Sequence, residues 1–138
     1  CKIILIGLNE KQIRELPEEI IGITRTENAE ELAGYYSMAD VFVNATLEDN
    51  FPTTNLEALS CGTPVITFET GGSPESLDKT CGRVVRKGDA EALLQAIFAE
   101  REHPMRKEDC LTRAVQYEKN DRFMEYAALY HRLWGQGE

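Results

Sequence analysis

The chain has 138 residues, of which 42% are hydrophobic and 28% are charged, proportions that predict a single globular domain over residues 1–138. A domain of this length buries roughly two-thirds of its unfolded surface, so it needs no disulfide or metal to be stable. The formal net charge of −9 argues against nucleic acid and anionic membranes as partners, because proteins that bind these polyanions usually present a basic face. An anionic ligand must therefore be held by local groups, such as the amides of a helix N-terminus.

No apolar run approaches the ~18 residues of a membrane span, and no signal peptide is recognisable. The four cysteines are Cys1, Cys61, Cys81 and Cys110. They show neither a CxxC pairing nor a metal-ligand spacing with the two histidines. Free thiols in a reducing cytoplasm are the favoured interpretation, with disulfides as the alternative. The first residues, CKIILIG, lie within an apolar strand pattern without a methionine, so we expect a piece of a longer cytoplasmic protein.

Short strands alternate with helices in the first part of the chain. Strands are predicted over Lys2–Ile6, Ile20–Ile23 and Val41–Val43. Asn9 is placed to cap a helix over Glu10–Leu16, which Pro17 ends. Asn28 and Glu31 form a capping-box pattern before a second helix. The apolar face of that helix comprises Leu32, Tyr35, Tyr36 and Met38.

The second part continues the alternation and ends in helices. Strands are predicted over Val65–Phe68 and Gly82–Val85, and Asp89 caps an amphipathic helix. Residues 104–134 read as two helices broken near Asn120. Aromatic side chains recur at every fourth position of the last helix, at Tyr126, Tyr130 and Trp134. This spacing indicates a stripe that packs in the core or against another domain.

Alternation of this kind predicts an α/β fold with a parallel sheet covered on both faces by helices. Ligands of such sheets bind outside the carboxyl ends of the strands. Three loops follow predicted strands in this chain: Gly7–Glu10, Asn44–Thr53 and Glu69–Ser73.

The middle loop lies in NATLEDNFPTTNLEALSCGTPVI, residues 44–66. A helix is expected to begin between Pro52 and Thr54, because proline has no amide hydrogen to leave unpaired. The amides expected to point outward at the ligand edge, toward a phosphate or a sugar hydroxyl, are those of Asn50, Phe51, Thr53 and Thr54. Glu57 lies about one turn further on, where its carboxylate could accept two hydrogen bonds from a vicinal diol such as a ribose.

Each of these features also has a purely structural interpretation. Thr54 and Glu57 match a capping box, so Glu57 could satisfy its own helix start. Glu48 and Asp49 could belong to a solvated loop. The pair Gly71-Gly72 could let the backbone approach a ligand closely or could form a turn with positive φ.

The combination of these features resembles a known family. Residues 44–66 closely resemble the donor-site motif of family 4 retaining glycosyltransferases, which have the GT-B fold. Three further segments resemble that family in the same order: AGYYSMADVFVNAT, TFETGGSPESL and GRVVRKGDAEALLQAI. The resemblance covers about residues 2–134.

The resemblance implies a Rossmann-like parallel sheet with helices on both faces and C-terminal helices, which is one half of a GT-B fold. That half is the C-terminal domain, which binds a UDP-, GDP- or ADP-linked sugar. An N-terminal acceptor domain would be missing here, and the last helix would contact it.

The resemblance also implies roles for individual residues. The family motif has two acids separated by seven residues; Glu57 matches the second, which binds the ribose. Asp49 stands where the family has the first glutamate, near the donor sugar or diphosphate, and Glu48 could partly replace it. The neighbouring donor-binding positions are Asn50, Phe51, Pro52, Thr53, Thr54, Gly71 and Gly72.

Neither a metal nor another cofactor is expected, because the sequence has no D-x-D pattern that would bridge a diphosphate through a metal. The family's cationic pair would lie upstream of Cys1, so this chain alone should be inactive. A non-catalytic nucleotide-binding domain on the same scaffold is the alternative. A dinucleotide-binding oxidoreductase is disfavoured, because GLNEKQ lacks the G-x-G-x-x-G pattern.

Overall fold

The computed structural model describes residues 2–134. The chain comprises two compact units that divide between Tyr35 and Tyr36, within a helix, and each is described by itself. All strand pairs in both units are parallel, as the alternation of strands and helices predicts. The prediction of a single domain over residues 1–138 stays a prediction.

The N-terminal unit is built on a two-stranded parallel sheet. Its elements are β1 (Ile3–Ile6), α1 (Glu10–Arg14), β2 (Ile20–Ile23) and most of α2 (Ala29–Met38). Asn9 caps α1 as predicted: its side chain accepts the Gln12 amide at 2.9 Å, and the Gln12 side chain accepts the Asn9 amide at 2.9 Å. Asn28 accepts the Glu31 amide at 2.8 Å, so it caps the start of α2, also as predicted.

The C-terminal unit is built on a three-stranded parallel sheet in the order β3-β4-β5. Its remaining elements are β3 (Phe42–Asn44), α3 (Thr53–Ser60), β4 (Val65–Phe68), a 3-10 helix (Ser73–Ser76), β5 (Gly82–Val85), α4 (Ala90–Glu102), α5 (Lys107–Val115) and α6 (Lys119–Trp134). All four residues of β4 are buried, as expected for the central strand of a parallel sheet. The predicted strands thus exist. Strand β1 begins one residue later than expected, and β3 both begins and ends one residue later.

The core of the C-terminal unit lies around β4. Helix α3 packs on β3 and β4, α4 packs on β4 and β5, and α5 packs on α3. The buried hydrophobic side chains are Tyr36, Ala58, Leu59, Val65, Ile66, Phe68, Leu77, Cys81, Ala96 and Cys110. Cys61, Cys81 and Cys110 are free thiols, as predicted, whereas Cys1 lies outside the described residues. Burial of these side chains stabilises the unit, since each fully buried leucine or valine contributes about 1.5–3 kcal/mol to the free energy of folding.

The last helices agree with the sequence prediction in number but not in packing. The break between them falls at residues 116–118, near Asn120 as predicted, because α6 begins at Lys119. Helix α6 buries none of its residues, and Tyr126, Tyr130 and Trp134 are 63%, 71% and 89% exposed. The prediction that this stripe packs in the core is therefore wrong for the residues that the structure describes. None of the helices in residues 2–134 is both long and apolar enough to cross a membrane.

Candidate functional site

Two loops meet at the carboxyl ends of β3 and β4 in the C-terminal unit. The Thr70 hydroxyl donates to the Leu47 carbonyl at 2.9 Å, and the Gly72 amide donates to the Asn50 carbonyl at 2.8 Å. The loop that contains Glu48 and Asp49 is thus joined to the loop after β4. The sequence predicted that both loops border a ligand site, and the structure places them side by side.

Gly71 and Gly72 are required by this contact between the loops. Gly71 has φ +47°, and a Cβ there would lie 1.8 Å from the Asp49 carbonyl oxygen. A Cβ on Gly72 would lie 2.2 Å from the Asn50 carbonyl oxygen. No side chain fits at such distances, so the close approach that calls for glycine here is between two protein backbones. The positive-φ interpretation is confirmed at Gly71, whereas Gly72 has φ −88°.

A buried polar network lies beneath the two loops. Asn55, at the start of α3, donates to the hydroxyls of Ser73 and Ser76, each at 3.0 Å. Its side-chain oxygen accepts from the Asn44 amide group at 2.9 Å, and the Thr67 and Ser73 hydroxyls share a 2.6 Å bond. Asn55, Thr67, Ser73 and Ser76 are all fully buried. Because buried polar groups with their partners in place specify one arrangement, this network sets the position of α3 relative to the 3-10 helix.

Helix α3 begins without a side-chain cap. Pro52 is the N-cap residue, and it forms no side-chain cap hydrogen bond to the first amides of the helix. Thr53 and Thr54, the first two residues of the helix, are exposed, and amides at these positions of an α-helix have no partner within it. Exposed amides at a helix N-terminus favour an anion through direct hydrogen bonds and through the helix dipole.

The predicted set of free amides needs one correction. The Phe51 amide donates to the Asp49 carboxylate at 3.0 Å, so it is not free. This bond closes a tight turn of the kind that aspartate makes with the amide two residues on. Asp49 therefore shapes the loop with one carboxylate oxygen, while its side chain stays exposed, as does that of Glu48.

Glu57 is exposed on the second turn of α3 and takes no part in capping. The helix begins at Thr53, ahead of the predicted capping box, and Pro52 receives no side-chain bond. The capping-box interpretation of Thr54 and Glu57 is therefore wrong. The contact recorded for the Glu57 carboxylate is a 3.3 Å hydrogen bond from the Tyr36 hydroxyl to Oε2. A carboxylate has about four lone-pair positions, so most of its hydrogen-bonding capacity faces solvent.

Arg113 and Tyr117, which the sequence did not indicate, fix the 3-10 helix from α5 and the turn after it. Arg113 donates to the carbonyls of Glu75 and Ser76 at 2.6 and 3.1 Å, and the Tyr117 hydroxyl donates to the Glu75 carbonyl at 2.6 Å. The Tyr117 ring also packs against Phe51, with ring centroids 5.8 Å apart. Arg113 and Tyr117 therefore contact both loops of the site: Phe51 in the first, and the 3-10 helix that follows the second. No local pattern reveals these contacts, because the partners are at least 37 residues apart in sequence.

Two grooves of the C-terminal unit lie along β5 and α4, away from the two loops, and are lined by residues such as Arg83, Val84 and Ala99. Among residues 2–134, no group of three or more histidine, cysteine, aspartate or glutamate side chains could hold a metal ion. The expectation of a reaction without metal or other cofactor stays a prediction.

Comparison with known proteins assigns the family. The chain matches the sequence profile described as glycosyl transferases group 1 over residues 1–99. It belongs to this family of glycosyltransferases. The resemblance inferred from the motif of residues 44–66 is thereby confirmed.

Relatives of this chain include proteins named as glycosyltransferases. It is 37% identical over 78 residues to a D-inositol 3-phosphate glycosyltransferase of Corynebacterium jeikeium, covering 52% of this chain and 19% of that protein. It is 38% identical over 87 residues to a GDP-mannose-dependent alpha-(1-6)-phosphatidylinositol monomannoside mannosyltransferase of Mycolicibacterium smegmatis, covering 57% and 23%. The matched segment thus spans about a fifth of the length of these relatives.

The fold agrees with this family. A sucrose-phosphate synthase structure from Thermosynechococcus elongatus matches with a TM-score of 0.83 at 24% identity, covering 99% of this chain and 39% of that one. The predicted α/β class and GT-B fold are confirmed, with parallel strands and helices packed against them.

Proposed function

We propose that this glycosyltransferase chain is the half that binds the nucleotide-sugar donor of a retaining enzyme, which transfers the sugar to an acceptor. The observation that carries the proposal is the exposed Glu57 carboxylate one turn beyond the uncapped N-terminus of α3. A nucleoside diphosphate needs both features, because its phosphates are anions and its ribose presents two adjacent hydroxyls. Helix amides suit the phosphates, and a carboxylate suits the diol.

The other predicted residues have places in this scheme. The amides of Thr53 and Thr54 would bind the diphosphate, with Asn50 and Pro52 shaping the loop beside them. The second oxygen of Asp49 and the exposed carboxylate of Glu48 would face the donor sugar. Gly71 and Gly72 would act indirectly, by keeping the neighbouring loop close to Asp49 and Asn50.

One relative suggests which nucleotide to test first. The mycobacterial relative is named as GDP-mannose-dependent, so GDP is the first candidate, with UDP and ADP as the alternatives. The aromatic stripe of α6 supports a partner domain that covers Tyr126, Tyr130 and Trp134, since large exposed apolar patches mark interaction surfaces. That domain would supply the acceptor site, and further cations would be needed for catalysis. We therefore expect this chain alone to be inactive. We expect the parent enzyme to be metal-independent and cytoplasmic, with peripheral attachment to the inner face of the membrane as the alternative.

A non-catalytic nucleotide-binding domain is the second candidate. It is favoured by one observation: Asp49 uses a carboxylate oxygen in the turn to the Phe51 amide, where the family has a longer glutamate. A domain that only binds nucleotide needs Glu57 and the helix amides but no acid beside the sugar. The two candidates differ in whether the sugar of a nucleotide sugar adds to the affinity of the nucleoside diphosphate.

The test is an NMR titration of the isotopically labelled chain with GDP, UDP, ADP and NAD. We expect chemical-shift changes confined to residues 44–57 and 69–75 with one nucleoside diphosphate. The corresponding nucleotide sugar should then shift Glu48 and Asp49 further. Shift changes around residues 7–12 with NAD would overturn the proposal, as would the absence of changes with all four nucleotides.

A further inference from the structure

The Tyr36 hydroxyl lies against the carboxylate of Glu57. It donates to Oε2 at 3.3 Å, at the long end for an O–H···O hydrogen bond. This bond orients the carboxylate and uses only one of its acceptor positions. One lone pair of Oε2 and both lone pairs of Oε1 stay available to a ligand. Tyr36 is 9% exposed, whereas Glu57 lies on the surface. The pair therefore joins a buried donor to an exposed acceptor.

Tyr36 is held in place by Phe42 and Thr63, and Phe42 is itself held by Pro64. Its ring meets the Phe42 ring edge-on, with centroids 5.3 Å apart and an interplanar angle of 88°. Its carbonyl accepts a 2.6 Å bond from the buried Thr63 hydroxyl, and the Phe42 amide donates to the Pro64 carbonyl at 2.9 Å. The segment Gly62-Thr63-Pro64 thus does more than turn the chain from α3 into β4. It anchors the backbone of Tyr36 and the strand that carries Phe42.

The Tyr36 hydroxyl stays protonated over the physiological range. Burial raises its pKa well above the ordinary value, and the nearby Glu57 charge raises it further. The hydroxyl therefore remains a hydrogen-bond donor to the Glu57 side chain over that range.

We propose that Tyr36 is a positioning residue for Glu57, holding its carboxylate in the orientation that a ribose diol requires. This inference rests on the proposed function, because it takes Glu57 to be the group that binds the diol. Glutamate on a helix surface has three rotatable bonds, and fixing them before the ligand arrives removes an entropic cost of binding. Tyr36 reaches Glu57 from another helix, so it can supply this restraint across 21 positions of sequence.

The experiment replaces Tyr36 with phenylalanine, which removes the hydroxyl and keeps the ring that packs on Phe42. NMR titrations with GDP, UDP and ADP first identify the nucleotide that the unmodified chain binds. The variant is then titrated with that nucleotide and with its 2′,3′-dideoxy counterpart. We expect about threefold to tenfold weaker binding of the ribonucleotide, the range for a long hydrogen bond to a charged group, and unchanged binding of the dideoxy form.

Tyr35→Phe is the matched control. Tyr35 is the preceding residue of α2, is partly exposed, and has no hydroxyl hydrogen bond recorded among residues 2–134. The Tyr35→Phe variant should bind both nucleotides as the unmodified chain does. A general structural effect of Tyr36→Phe would weaken both nucleotides equally, which would overturn the inference. Equal affinity of Tyr36→Phe and the unmodified chain for the ribonucleotide would also overturn it.

A double-mutant cycle separates this inference from the proposed function. In a Glu57→Gln background, Tyr36→Phe should cause no further loss of ribonucleotide affinity, because its effect acts through the carboxylate. Additive losses would show that Tyr36 acts independently of Glu57. If none of the nucleotides binds to the unmodified chain, the proposed function fails and this inference fails with it. If Glu57→Gln weakens binding and Tyr36→Phe does not, only this inference fails.

Discussion

At the scale of single residues, Glu57 is defined by the partners that its carboxylate has and lacks. A capping role would require a bond to the first amides of α3, and none is present at Pro52. The recorded contact is with the Tyr36 hydroxyl, which leaves the carboxylate accessible to a ligand. The motif alone could not separate these roles, because both place a glutamate near a helix start.

Replacing Glu57 should therefore change affinity and leave stability nearly unchanged. We expect Glu57→Ala to weaken nucleotide binding by about tenfold to a hundredfold, the range for a hydrogen bond to a charged group. The free energy of unfolding should change by no more than about 0.5 kcal/mol, as for most exposed positions. Glu57→Gln should lose less affinity, because it keeps the shape and loses only the charge. A stability loss of ~1 kcal/mol with unchanged affinity would instead identify a cap.

Replacing Asn55 should instead lower stability, because this side chain is fully buried and joins Asn44 to Ser73 and Ser76. Asn55→Ala leaves these partners unpaired in the interior. We expect a loss of about 2–4 kcal/mol in the free energy of unfolding, measured by urea denaturation. Ser60→Ala, on the exposed side of the same helix, serves as the control and should cost no more than about 0.5 kcal/mol. Equal effects of the two variants would contradict a structural role for the network.

At the scale of elements, the two loops at the site depend on how closely their backbones approach. Gly71 and Gly88 both have positive φ, +47° and +76°, but a Cβ at Gly88 would meet nothing within 4 Å. The two glycines therefore differ in crowding and share the left-handed conformation. This difference offers a matched pair of variants.

Alanine substitution at each glycine separates conformational strain from the collision. Gly88→Ala should cost about 1 kcal/mol, from the left-handed conformation alone. Gly71→Ala should cost at least about 2 kcal/mol more, because its Cβ would collide with the Asp49 carbonyl. Urea denaturation measures both changes. If the two losses are equal, the loops separate at no cost, and the contact between them does not hold the site together.

At the scale of the whole molecule, charge and exposed surface set the conditions for binding. The net charge of −9 opposes an incoming diphosphate. In the proposed site, helix amides would hold the anion at short range, whereas the repulsion acts at long range and is screened by salt. We therefore expect nucleotide affinity to rise as sodium chloride increases from low concentration to about 0.15 M, where the screening length is ≈ 8 Å. A fall in affinity would indicate a site built on cations, as in proteins with a basic face.

Helix α6 allows a second test at this scale, because Trp134 is the only tryptophan and is 89% exposed. Its fluorescence emission should hardly shift when the chain unfolds in urea, since the indole is in water in both states. A domain that covers the α6 stripe should shift the emission to shorter wavelength. Blue-shifted emission from the chain alone, together with a monomeric mass by analytical ultracentrifugation, would contradict the exposed arrangement of α6.

Local sequence signals account for much of the fold. Strands such as Ile20–Ile23 and Val65–Phe68 follow from short β-branched runs, and the helix starts at Asn9 and Asp89 follow from side-chain caps. These interactions span only a few residues, so they can be read without knowing the fold. The motif of residues 44–66 likewise predicted the family, because its residues lie in one continuous segment.

Only the tertiary structure decided how the site is assembled. Tyr36 reads in sequence as one apolar position of a helix, yet its hydroxyl contacts Glu57. Gly71 reads as a turn residue, yet it is needed because Asp49 lies against it. Arg113 belongs to no recognisable sequence motif, although it donates hydrogen bonds to the Glu75 and Ser76 carbonyls after the glycine loop. Each of these contacts joins positions more than 20 residues apart, so it exists only after the strands have paired and brought their loops to one edge of the sheet.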